Sequence, residues 1–155
     1  MPGAISDSST LMFHKKILIA PAVWREVVQE GRGWPGSSEV EEGRRLGWID
    51  VVAPANQPLI RFLQKDLHEG ESETIALAVE LNAEVVFLDE SEARKTAGVY
   101  GLNISGVIGI LIRAKREERI SSLREELDRL RNDAGFWIGE EVYKKALRAS
   151  GEGEN

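Results

Sequence analysis

The stretch Glu71–Arg94, ESETIALAVELNAEVVFLDESEAR, constrains the fold more than any other part of the chain. Its spacing predicts a helix over 71–82, a buried strand over 84–88 and a second helix from Glu92 to about Tyr100. Ile75, Ala76, Ala78 and Val79 on the helix, and Val85, Val86, Phe87 and Leu88 on the strand, are apolar enough to be core. Strands alternating with helices in this way build an α/β sheet. Acids stand at both ends of the unit: Glu71 and Glu73 where the first helix begins, Asp89 and Glu90 where the strand finishes. Sites in open α/β sheets lie beyond the carboxyl ends of the strands. Acids placed there point to a metal-binding or acid–base site.

The alternation continues on both sides. KKILIA (15–20) reads as a strand, and Pro21 opens a helix with Val23, Val27 and Trp24 on its buried stripe and Gly31 at its end. Glu26 lies between those valines, near the buried edge; an exposed helix glutamate is the ordinary alternative. Ser38 and Glu41 have capping-box spacing for a short helix. Strands are expected at 48–52 and 102–105, and helices over 59–67 and 106–115. Ile120, Leu123, Leu127 and Leu130 form the stripe of a charged helix, and a last helix carries Val142, Tyr143 and Leu147. At the start, Ala4 and Ile5 before SDSST read as a short strand ending at Asp7. The sum is one α/β domain over 1–149, with a disordered tail at 150–155. Its sheet is short and largely parallel, with helices on both faces. Asp7, Asp89 and the start of the 71–82 helix would meet on one edge.

Composition removes several alternatives. A hydrophobic content of 42% in 155 residues is a real core and not a disordered composition. With no cysteine there is no disulfide, thiolate metal site or cysteine nucleophile. His14 and His68, with no HExxH pattern, do not make a zinc site. The net charge of −6 argues against broad coating of nucleic acid. It leaves room for a local basic path through Lys15, Lys16, Arg94, Lys95, Arg113, Lys115 and Arg116. Trp24, Trp34, Trp48 and Trp137 are expected as core or interface anchors. No apolar run approaches the ~18 residues of a membrane span, and the first residues lack a signal-peptide pattern. A cytoplasmic protein is expected.

Carboxylates gathered in one crevice raise each other's pKa, and a hard divalent cation relieves them. Mg²⁺ and Mn²⁺ take oxygen ligands and need only two or three carboxylates. Such ions assist phosphodiester hydrolysis. Acids at helix N-termini, here Glu71, Glu73 and Glu90, also gain from the helix dipole. No Walker A loop, GxGxxG or GxSxG motif competes with this chemistry.

The ordered series SDSSTL, IAPAVWREV, GESETIALA, VVFLDESEARKTA, GLNISGVIGILIRAK and AGFWIGEEVYKKAL resembles the PIN-domain proteins. It is most similar to the small prokaryotic branch DUF3368, related to VapC-type toxins. The resemblance implies a three-layer α/β/α fold with a short, largely parallel sheet. It also implies a Mg²⁺- or Mn²⁺-dependent ribonuclease, often a homodimer and often inhibited by an antitoxin protein, in which a metal-activated water attacks RNA. Asp7 matches the acid after the first strand, Glu26 the acid of the following helix, and Asp89 the acid of the LD[DE] motif. Glu71 and Glu73 fill the GExE motif; spacing favours Glu71, without separating the two. Asp7, Glu71 or Glu73, and Asp89 are thus the implied catalytic and metal-binding acids. Ser9, Glu26, Glu90 and Arg94 are the implied supporting residues.

One departure from the family pattern concerns topology. Only LMFHKK separates SDSST from ILIAP, where the family places a helix of about three turns. A right-handed crossover between parallel strands needs a dozen or more residues. The first strand is therefore displaced, paired differently or swapped with another copy. The alternative function is a degenerate PIN-like module that binds a protein partner or RNA without cleaving it.

Overall fold

The computed structural model describes residues 10–13, 16–34, 36–133 and 137–153. Asp7, Ser9, His14 and Lys15 lie outside the described residues. The chain divides into two compact units, the first ending at Ser105 and the second beginning at Gly106.

The first unit is built on strands β1 (Thr10–Phe13), β2 (Lys16–Ile19), β3 (Ile49–Val51), β4 (Val85–Phe87) and β5 (Ile104–Ser105), in the order β3-β2-β1-β4-β5. β2 and β3 are parallel, as are β4 and β5. β1 is antiparallel to both neighbours, with Leu11 opposite Leu18 on one side and Val86 on the other. Four strands therefore run one way and β1 runs against them. The described strand Thr10–Phe13 thus takes the middle of the sheet by antiparallel pairing. The strand expected from Ala4 and Ile5 to Asp7 lies outside the described residues. An antiparallel neighbour needs no crossover, so a link of two residues between Phe13 and Lys16 is sufficient.

Successive residues of β2 face opposite sides. Leu18 joins Ile75, Leu77, Val86 and Leu88 in one core, whereas Ile19 joins Val23, Val27 and Ile49 in another. Apolar cores thus lie on both faces of the sheet, giving three layers. The first core holds helices α3 (Gln57–Leu63), α4 (Glu69–Leu81) and α5 (Ser91–Val99). The second holds α1 (Pro21–Trp24) and the π-helical turn that continues it, Arg25–Gln29. Helix α2 (Ser37–Leu46) packs Val40 against that core. It starts beside Gly36 at φ 96°, and the Ser38 hydroxyl pairs with Glu39, so the expected capping box does not form. In α4, Ile75, Ala76, Leu77 and Ala78 are all buried, and Val79 is exposed, contrary to the expectation. A helix apolar over so wide an arc is buried on several sides.

The second unit comprises α6 (Val107–Arg116), α7 (Leu123–Asn132) and α8 (Glu140–Ala149). Leu123 and Leu127 are fully buried with Ile138, Tyr143, Ala146 and Leu147. Ile120 and Leu130 complete the stripe at the edge of that core. Of the segment expected as a tail, Glu152 is tied to α7. Its carboxylate accepts the N–H of Leu123 (2.9 Å) and Arg124 (2.8 Å) and meets Lys115 at 3.1 Å. Burial pushes this carboxyl up, but the two amides and Lys115 outweigh it and hold it below the usual range.

Of the four tryptophans, Trp24 packs against the second core. Trp34, Trp48 and Trp137 are exposed, and Trp24 is half-buried beneath the Arg44 guanidinium, 4.4 Å from its ring.

Candidate active site

Three local features place acids together. The first is the π turn, closed by the Glu30 N–H donating to the Arg25 carbonyl at 2.8 Å. Such turns recur at functional sites, and this one carries Glu26. The second is the start of α4. The His68 N–H donates to Glu71 Oε2 at 3.2 Å, which pins the glutamate back over the first turn. The third is the end of β4, where the Leu88 N–H donates to the Ser105 carbonyl at 2.9 Å and the chain passes through Asp89 and Glu90 into α5.

The Glu26 carboxyl leans on Gly70. A Cβ there would lie 3.0 Å from Glu26 Oε2 and 3.3 Å from Oε1. Gly70 is therefore the residue that lets the π turn and α4 approach, a role the sequence reading missed. Its only signal was a glycine inside HEGESE, at the start of a helix. Although Glu26 is exposed at its edge, desolvation of its carboxyl raises its pKa, and Glu30 and Glu69 add to this against Arg25 and His68. Arg25 itself pairs with Glu69 at 2.6 Å.

Glu71 is 8% exposed. Burial raises its pKa; the His68 amide opposes this, and the charge of Glu90 with a hydrogen bond between the two carboxyls raises it again. Glu71 and Glu90, from different elements, therefore face each other. Glu73 faces elsewhere: its Oε2 accepts the Ala22 N–H at 2.8 Å, capping the start of α1. Positions two apart on a helix do not share a face, so one GExE motif serves two purposes. Asp89 is half-buried at the strand end.

These placements separate the two glutamates experimentally. Glu73→Gln keeps an acceptor for Ala22 and is expected to leave denaturant stability nearly unchanged, whereas Glu73→Ala is expected to cost about 1–2 kcal/mol. Glu71→Gln is expected to act through pH. A carboxyl whose folded pKa is raised contributes stability below its unfolded pKa and loses it as pH rises through the folded value. Metal-free wild-type protein should then weaken from about pH 4 upwards. Glu71→Gln should flatten that dependence and be the more stable protein at neutral pH. Parallel pH curves for the two proteins would remove Glu71 from this role.

Arg94 is exposed, with no carboxylate at ion-pair distance among the described residues, and Lys95 is likewise unpaired. The rest of the expected basic path is engaged where it is described. Lys16 pairs with Asp50 (2.7 Å), Arg113 with Glu117 (2.9 Å) and Lys115 with Glu152, and Arg116 donates to the Ala149 carbonyl (3.1 Å). Among the described residues no group of three or more histidines and acids is placed to hold a metal ion. The described donor set is the Glu71–Glu90 pair with Asp89 adjoining it in the chain. These are hard oxygen donors, and the burial and like charge that raise the Glu71 pKa are what a bound cation would relieve.

The family model for DUF3368, a PIN domain, matches residues 5–152. Comparison with curated proteins returns no match, and comparison with solved structures returns none.

Proposed function

The chain belongs to the DUF3368 family of PIN domains, and on that premise we propose that it is a ribonuclease dependent on Mg²⁺ or Mn²⁺. PIN domains are nuclease-type domains, generally dependent on a divalent metal, and PIN-domain nucleases act on RNA. The observation that carries the proposal is buried Glu71 meeting Glu90, which follows the strand-end Asp89 in the chain. Glu71 and Asp89 would hold the ion, with Asp7 as the third acid; Glu73 is committed to α1. A bound ion supplies Lewis-acid polarisation of the phosphate and a more acidic water. Glu90 would assist Glu71, and Glu26, with its raised pKa, is suited to proton exchange. Arg94, exposed and unpaired on α5, offers its guanidinium to a phosphate. Ser9 would support Asp7.

The finer reading is a toxin restrained by an antitoxin protein, acting as a homodimer in the cytoplasm. No helix among the described residues is long and apolar enough to cross a membrane. A second reading, an RNA- or protein-binding module that does not cut, is favoured by one sequence feature: only LMFHKK separates SDSST from ILIAP, where the family places a helix. A mixed RNA panel with Mn²⁺, Mg²⁺ or chelator separates the two. Cleavage that chelator abolishes is the expected result. Folded protein that neither cuts RNA nor binds Mn²⁺ by calorimetry would leave the binding module standing.

A further inference from the structure

The second unit contains a cleft of about 460 Å³ between α7 and α8, with Tyr143 and Leu147 among its lining residues. Its rim carries Arg124, Lys144 and Arg148. The cations around it have acids assigned to them: Arg131 meets Glu140 at 3.3 Å, Arg129 meets Glu126 at 3.0 Å and Lys115 meets Glu152 at 3.1 Å. The three rim cations have no carboxylate at ion-pair distance among the described residues. The Arg124 side chain reaches the Glu152 carbonyl, at 3.5 Å, and the Tyr143 hydroxyl. The one acid of the lining, Glu140, faces Arg131, and the Tyr143 hydroxyl donates to Asp128 at 2.8 Å. Lys144 and Arg148 are four apart on α8, a like-charge pair that disfavours the helix. An anion between them removes that repulsion.

We propose that this cleft binds the phosphate backbone of an RNA strand, with Arg124, Lys144 and Arg148 as its phosphate contacts. The choice of RNA rests on the ribonuclease reading; the cationic cleft does not. A guanidinium pair flanking an ammonium matches successive phosphates, the arginines as forks and the lysine as a point charge. Contacts of this kind position a strand and carry no sequence preference. They would hold substrate RNA through residues of the second unit.

The test is fluorescence anisotropy of a labelled single-stranded RNA with the full chain in chelator, where no cleavage occurs. Lys144→Gln with Arg148→Gln is expected to weaken binding about 10-fold at moderate salt. It should also lower the slope of log affinity against log salt by roughly 1.4, as loss of two single-strand phosphate contacts requires. Arg61→Gln with Lys65→Gln, two exposed cations of the first unit, should leave both unchanged. Unchanged binding in the α8 variant overturns the proposal, and so does equal weakening in the control. Displacement of RNA by millimolar inorganic phosphate would assign the cleft to free phosphate instead. Because binding is read without metal, the two readings fail separately. Protein that binds RNA through the cleft but never cuts it refutes the nuclease alone. Protein that cuts while its α8 variant binds normally refutes the cleft alone.

Discussion

Asp89→Asn is expected to lower Mn²⁺-dependent RNA cleavage by at least about 100-fold, since even residues that merely orient metal ligands are worth 10- to 100-fold. The substitution keeps the shape of the side chain and one oxygen but removes the charge that a divalent ion requires. Its backbone is fixed independently, by the Leu88 N–H to Ser105 carbonyl bond and by the parallel pairing of β4 with β5. The fold should therefore survive, and a melting temperature within a few degrees of wild type is the control. Calorimetry should show Mn²⁺ affinity falling with activity. Cleavage retained at a tenth of wild type or more, with metal affinity intact, would take Asp89 out of the site.

Much of this site was readable before any coordinates, for identifiable reasons. Ile75, Ala76 and Ala78 followed by Val86 and Leu88 carry the change of period from helix to buried strand, so the element that delivers Asp89 and Glu90 was legible. The division of labour between Glu71 and Glu73 was not. It depends on what lies beside each face of α4, and Ala22 and Glu90 are remote in sequence. The π turn carrying Glu26 has no residue signature, because its extra residue is accommodated by backbone geometry alone. Val79 misled because apolar character alone does not say which side of a helix the sheet covers. Of the tryptophans, Trp24 packs against the second core beneath Arg44 from another helix, whereas Trp48 lies exposed beside β3.

Leu11→Pro is expected to unfold the first unit. β1 is the central strand and the sole connection in the sheet between the β2–β3 pair and the β4–β5 pair. Leu11 sits at its middle, opposite Leu18 and Val86. In a strand paired on both sides each N–H is used toward one neighbour or the other, and proline removes one and adds a ring where the partner strand runs. By analogy with a helix interior the cost is about 3 kcal/mol or more, a large share of the ~5–15 kcal/mol that holds a typical domain. Each remaining pair of strands would be a two-stranded ribbon, marginal by itself. Amide hydrogen exchange reads the outcome: protection of β2, β4 and α4 should be lost together, because α4 lies on the sheet that β1 joins. The reversed strand also bears on the site, since Thr10 lies opposite Phe87 and β1 begins at the edge where β4 ends. An antiparallel β1 thus begins at the same edge at which Asp89 emerges. A Leu11→Pro protein with protection of β2 and β4 intact would show that β1 does not hold the sheet together. The short connection would then have to be explained by some pairing other than the antiparallel one.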